Sequence, residues 1–119
     1  MTEQESRDLA TFQLLAYEMP GEDPKKTNGK IRRKLRRSRL GDYDQAQIDR
    51  LRALRDQLEQ EIRKFDRSFY YRPTLSQFAS LEDLDAERMF RDFVKAYPSV
   101  RERDMGGIVG FALYCHYLR

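Results

Sequence analysis

From Ile48 to Phe69 the large apolar residues stand three or four positions apart: Ile48, Leu51, Leu54, Leu58, Ile62, Phe65 and Phe69. That spacing is the period of an α-helix, and it draws one apolar seam along a rod whose other sides are charged. Asp42 or Asp44 can start the helix, and the pattern carries it to about residue 69. Glu59 and Arg63 stand four apart in the order that favours an ion pair along a helix. The seam asks for partners. It can pack inside a bundle made by its own chain, which is the expectation, or form a coiled coil with a second chain.

The remaining segments supply helices for such a bundle. Leu9, Phe12, Leu15, Ala16 and Met19 make a second stripe, with Ser6 as cap and Pro20-Gly21 as stop. GEDPKKTNG, residues 21–29, is rich in turn formers and reads as a mobile connection. Thr27 or Asn28 then caps a short basic helix that reaches about Leu40 and is stopped by Gly41. FYYRPTL, residues 69–75, is an aromatic-rich break, because Pro73 forbids helix continuation. Ser80 with Asp83 three residues on has the form of a capping box. Leu81, Leu84, Met89, Phe90, Phe93 and Val94 give the following helix its buried face, and Tyr97-Pro98 ends it. Ser99 opens a last helix, VRERDMGGIVGFALYCHYLR, apolar nearly all round from Ile108 and so expected to be the central, most enclosed one. Gly106, Gly107 and Gly110 lower its helix propensity but allow a neighbour to come close. No strand-like alternation persists and no internal repeat is visible. The fold expected is all-α: a single domain over residues 1–119, a compact bundle of four or five helices with one long amphipathic helix. Within it residues 22–41 are a basic linker or short helix, 44–69 the long helix, and 80–119 a C-terminal helical pair.

Charge is distributed unevenly. Of 23 Lys and Arg, nine fall in residues 25–39, a stretch without any acid. That leaves 14 against all 20 acidic residues, so the rest of the chain nets −6. Basicity concentrated on an acidic body points to an anionic partner. Charged residues reach 36%, but 12% aromatics argue against full disorder. The single cysteine, Cys115, excludes an intrachain disulfide and fits a reducing compartment. MTEQESRDLA lacks the basic start and apolar run of a secretory signal. The longest apolar run, residues 106–118, falls short of the roughly 20 residues that span a bilayer. A soluble, intracellular, cytoplasmic protein is expected.

Signals for catalysis are poor. His116 is the only histidine, and it adjoins Cys115. Consecutive side chains on a helix diverge by about 100°, so the two cannot act on each other as base and nucleophile. No Cys/His cluster has metal-ligand spacing. Asp83 and Glu87 share a helix face, but acids near a helix start are expected on dipole grounds alone. Gly106-Gly107 lacks the Lys-Ser/Thr of a phosphate-binding loop. No enzyme, no metal, no cofactor and no small-molecule substrate are expected.

KIRRKLRRSR, residues 30–39, is the most pointed stretch. On a helix Ile31 and Leu35 share a docking face. Arg32, Arg36 and Arg39 line one flank, Arg33 and Arg37 another, and Lys30 and Lys34 add to the edges. Arginine outnumbers lysine five to two there, and its planar fork suits phosphate oxygens. A solvated face, a nuclear address and an acidic protein partner are competing readings. A membrane-surface helix would want a larger apolar face with Trp or Phe. Phe69, Tyr70 and Tyr71, between Arg67 and Arg72, could stack unpaired bases or plug the gap between two helices; the plug is the expectation. Zinc-finger spacing, the aromatic RNP pattern and a helix-turn-helix turn are absent, so backbone binding is supported and base reading is not.

Two stretches carry a family likeness. KAYPSVRERDMGGIVGFALYCHYL resembles the C-terminal pattern of one family of small subunits of CRISPR effector complexes: a proline, a polar turn, glycine and an apolar helix. TNGKIRRKL is similar to a basic helix start in another such family. The resemblance implies a helical bundle that stacks along a nucleoprotein complex and helps hold guide RNA and target strand through positive patches.

The function expected is therefore a non-catalytic subunit of a larger nucleoprotein assembly that binds a nucleic-acid backbone, single-stranded DNA or RNA favoured. Its contact residues are Lys25, Lys26, Lys30, Arg32, Arg33, Lys34, Arg36, Arg37 and Arg39. Its other partners are protein subunits, not a membrane. The alternative is a structural or adaptor subunit that uses the long helix as its contact and sets the basic segment on an acidic protein surface. A small enzyme regulator or phage-encoded inhibitor is a third, weaker option.

Overall fold

The computed structural model of the chain describes residues 6–64, 67, 70 and 84–117, the side chains of 116 and 117 excepted. Five α-helices account for most of these: α1 (Arg7–Ala16), α2 (Pro24–Ser38), α3 (Gln45–Lys64), α4 (Ala86–Ala96) and α5 (Glu102–Tyr117). Among the described residues there is no strand, so the domain is all-α.

Four of the five helices start where a side chain takes an orphan backbone donor. The Ser6 hydroxyl accepts from the Leu9 N–H at 3.1 Å and opens α1. At the other end the N–H groups of Tyr17 and Glu18 turn back to the carbonyls of Leu14 and Leu15. The helix is thus finished at Ala16, ahead of Pro20-Gly21, and Met19 is left 67% exposed instead of joining the stripe. Of the two candidate starts for the long helix, Asp44 is the one used. Its carboxylate accepts from the Gln47 N–H at 3.2 Å and its carbonyl from the Ile48 N–H at 3.0 Å. α4 is capped by Asp85, which accepts from the Arg88 N–H at 3.1 Å. Ser80, Leu81 and Asp83 lie outside the described residues, and Leu84 is buried just ahead of the helix. α5 begins at Glu102, later than Ser99; the Arg101 carbonyl takes the Met105 N–H at 2.9 Å.

The long seam is consumed inside the bundle. Ile48, Leu51, Leu54, Leu58 and Ile62 are all buried, in one cluster with Phe12 and Leu15 of α1 and Met105, Ile108 and Val109 of α5. Phe65 and Phe69 fall outside the described residues. Tyr70 closes one end of this core. Its hydroxyl donates to Asp92 at 2.9 Å and its ring tilts against Phe93 at 6.4 Å. Burial first, and then the Asp92 carboxylate, push the phenol up to about 12. The aromatic break thus acts as a plug at Tyr70; Phe69 and Tyr71 lie outside the described residues.

The most enclosed helix is α1, not α5. α1 packs on α2, α3 and α5, and none of its ten residues is exposed. α5 packs on α1, α3 and α4 but leaves Gly106, Gly107, Gly110 and Tyr114 on the surface. The reason is size. Four positions of α5 are glycine or alanine, which bury little area, whereas Phe12 and Leu15 of α1 are fully buried in the core. Gly107 does allow the close approach foreseen for it: a Cβ there would stand 3.2 Å from Leu9 of α1.

Leu58 is fully buried at the middle of the seam. Leu58→Ala should lower stability by about 2–5 kcal/mol in a urea melt. A loss within measurement error would show that the seam is not the core.

Candidate nucleic-acid interface

The basic stretch is a helix that starts early. Asp23 caps it, accepting from the Lys25 N–H at 3.0 Å, and Pro24 takes the first helical position, where its missing N–H costs nothing. Residues 24–29 are therefore helical and not a mobile connection, and Thr27 and Asn28 lie inside α2 instead of capping it. The far end closes at Arg39, a left-handed residue with φ of 51°, two positions before Gly41. Arg36 and Arg37 sit in the last turn, where the negative end of the helix dipole favours cations.

One face of α2 is anchored. Thr27, Ile31 and Leu35 recur every fourth residue and are buried. Below them lies an ion cluster. The Glu18 carboxylate, just past α1, receives Arg52 of α3 at 3.2 and 2.9 Å and Arg55 at 2.8 Å. Arg52 also donates to the Pro24 carbonyl at 3.2 Å and to the Asn28 side chain at 2.8 Å, both in α2. Arg55 donates to the Leu15 carbonyl at 3.0 Å, which satisfies an acceptor at the end of α1. Burial alone would push the Glu18 carboxyl up. Hydrogen bonds from Arg52, Arg55 and Thr27, with the charge of Arg52, outweigh it and pull the pKa from 4.5 down to about 2.

The other faces carry the cations. Lys25, Lys26, Lys30, Arg32, Arg33, Arg36, Arg37 and Arg39 are exposed, and Lys34 is half-buried at the edge of the docking face. Fold and cap thus gather all nine candidate residues on one element. Lys26–Lys30, Arg32–Arg36 and Arg33–Arg37 each stack one turn apart, about 6 Å along the axis. Lys26 and Arg32 are engaged within the chain. Lys26 lies 3.7 Å from Glu22, and the Arg32 guanidinium covers the ring of Tyr43, 4.3 Å from its centroid. Tyr43 in turn donates its hydroxyl to Gln45 at the start of α3, so Arg32 braces the segment that follows α2. That ring face is therefore occupied.

The other sequence candidates lie only partly within the described residues. Cys115 is half-buried, and the His116 side chain lies outside the described residues. Glu87 is exposed in the first turn of α4, and Asp83 is outside the described residues. Among the described residues no three His, Cys, Asp or Glu are placed to hold a metal ion, and no helix is long and apolar enough to cross a membrane. Comparison with known protein families, curated proteins and solved structures finds no match for this chain.

Glu18, Arg52 and Arg55, which tie α1, α2 and α3 together, are not singled out by the sequence reading. Arg55 lies at helical spacing inside the arc of Leu51, Ile62 and Ile48 on α3. A charge inside an apolar arc needs a buried partner, and that was the available signal.

The cluster predicts a pH dependence. The folded-state pKa of Glu18, about 2, lies below the ordinary 4.5, so unfolded chains take up the proton first. Its stabilisation is present above pH 4.5 and is lost as the pH falls from there towards 2. Glu18→Gln should therefore have a lower urea midpoint than wild type at about pH 6, with the gap narrowing by about pH 3. An equal gap at both pH values would show that the carboxylate charge is not what holds the cluster.

Proposed function

We propose that the protein is a non-catalytic subunit that binds a nucleic-acid backbone through α2, within a larger nucleoprotein assembly. The observation that carries this reading is a docked helix that, with its cap Arg39, holds nine cations and no acid, eight of them exposed, on a body that nets −6. Phosphates neutralised by these side chains release counterions, which gives affinity without regard to sequence. Turn-spaced pairs of arginines suit successive phosphates, and the fork of each guanidinium suits their oxygens. Among the described residues no exposed aromatic shares this face, which favours backbone contact over base stacking. Single strands, DNA or RNA, are the favoured ligand, because a flexible backbone can follow a short helix. The likeness to helical small subunits of CRISPR effector complexes suggests the kind of assembly, in which such a helix would lie along guide or target strand.

A second reading is an adaptor whose basic helix meets an acidic protein. It can no longer use the seam of α3, which is buried within the bundle. Its support is an exposed apolar corner: Tyr17 is 65% exposed with its ring edge-on to Phe111 at 6.0 Å, and Tyr114 is 55% exposed one turn further along α5.

A salt titration separates the two. Lys30, Arg33, Arg36 and Arg37 are the cations to replace by Gln, because Arg32 braces Tyr43 and its loss would disturb the fold. Wild type should bind unrelated single strands with similar affinity, falling steeply with salt. The quadruple variant should flatten the log–log slope by about three, at roughly 0.7 per phosphate. Undetectable wild-type binding at low salt would sink direct binding. A slope unchanged in the variant would move the contact off α2, and loss of an acidic protein partner instead would promote the adaptor.

A further inference from the structure

The positive surface of α2 runs on past its last turn. Beside Arg39 opens a cleft of about 650 Å³, between the C-terminal end of α2 and the N-terminal ends of α1 and α5. Three arginines from three elements line it: Arg7 of α1, Arg39 at the cap of α2, and Arg101 ahead of α5. Two buried carboxylates share the lining, and each sits behind an arginine. Asp104 accepts from Nε of Arg101 at 3.3 Å, and Asp8 lies 3.6 Å from Nε of Arg7. The Nε edge of Arg101 is thereby held, Arg7 lies within ion-pair range of Asp8 without a hydrogen bond to its buried Oδ1, and the terminal nitrogens of both guanidiniums have no partner among the described residues. Asp8 is itself fixed from behind, through its other oxygen, by Gln47 of α3 at 3.2 Å. Arg39 makes no ion pair among the described residues. The hydroxyl-bearing Ser38 and Ser99 complete a lining suited to an anion with several oxygens.

Arg39 carries the second strand of the reasoning. Its φ of 51° and ψ of 47° are those of a helix cap that glycine adopts without penalty and an arginine does not. The chain keeps a long cation where backbone energetics favour no side chain at all. Such a departure from local preference points to use of the side chain.

We propose that this cleft seats one phosphoryl group, continuous with the track along α2. The choice of phosphate over another anion rests on the reading of α2 as a phosphate-binding helix; the site itself rests on the three arginines and their geometry. The group can be an internal diester of a bound strand or a terminal monoester.

Backbone-amide NMR on the full chain tests this with inorganic phosphate first, then with oligonucleotides bearing a 5′-phosphate or a 5′-hydroxyl. Phosphate should shift the amides of residues 6–8, 38–40 and 101–104 saturably. Arg39→Gly with Arg101→Gln should weaken that response at least about tenfold, the loss that accompanies one charge-assisted hydrogen bond. Arg39→Gly alone should keep or raise the melting temperature, since it relieves the cap; Arg101→Gln alone serves if the double variant misfolds. A stronger response to the 5′-phosphorylated strand, lost in the variant, assigns a terminal monoester; equal responses, both weakened in the variant, assign an internal diester. Cleft amides that ignore phosphate, or respond equally in the variants, overturn the site. A carboxylate peptide that moves the same amides at lower concentration than phosphate overturns the choice of ligand. The α2 quadruple variant keeps the two readings apart. Strand binding that survives the cleft variants unchanged removes the cleft and leaves α2. A cleft that answers phosphate when wild type binds no strand leaves the cleft and removes α2.

Discussion

A single carboxylate decides where the basic helix points. Glu18 stands where the end of α1, the first turns of α2 and the middle of α3 meet, and its two oxygens take three hydrogen bonds from Arg52 and Arg55. Both arginines are largely shielded, at 16% and 18% side-chain exposure, so neither can be left unpaired without a large desolvation cost. Their remaining donors reach the Leu15 carbonyl in α1 and the Pro24 carbonyl and Asn28 in α2. Each of these bonds is directional. Those of Arg52 add directional ties to α2 beyond its apolar face of Thr27, Ile31 and Leu35. An acid outside the basic segment thus sets the direction of every cation on it.

This explains which parts of the molecule were legible in the sequence. The seam of α3 and the caps at Ser6 and Asp44 depend on neighbours within one or two turns, and pattern alone reveals them. The start of α2 does not. Asp, Pro, Thr, Asn and Gly are the residues of turns, and several of them also begin helices. In DPKKTNG the helical outcome is chosen by tertiary partners: Glu18 for Thr27, and Arg52 and Gln45 for Asn28. The order of burial was misjudged for a different reason. Hydropathy ranks α5 first, yet glycine contributes apolar character without area, and enclosure follows area. Of the candidate interface, the nine cations and the docking pair Ile31 and Leu35 were legible from spacing. The brace of Arg32 on Tyr43 and the cleft beyond Arg39 were not, because both join segments distant in sequence or in direction.

A helix with eight cations, a ninth at its cap and no acid opposes its own folding. Like charges one turn apart weaken a helix by a few tenths of a kcal/mol per pair. Several local devices offset this in α2: Glu22 beside Lys26, Tyr43 beneath Arg32, and the carbonyl end of the helix beneath Arg36 and Arg37. The offset is partial, since Arg33, Lys30 and Arg39 are not among those relieved. A polyanion would complete it. Any ligand that neutralises these charges binds the folded helix in preference to the unfolded one, and so stabilises α2 as it binds.

The same accounting of charge bears on orientation. With nine positive charges on one element and −6 elsewhere, the molecule is strongly dipolar. If the partner is a nucleic acid, as proposed, its phosphate backbone would be drawn to α2 and turned away by the acidic remainder. Within an assembly, each copy would then be oriented by the strand it touches before any protein contact forms. The exposed corner of Tyr17 and Tyr114 involves the end of α1 and the outer side of α5, whereas the cations lie on α2. Nucleic-acid contact and protein contact can therefore be made by different elements of the same small bundle, and neither need compete with the other for area.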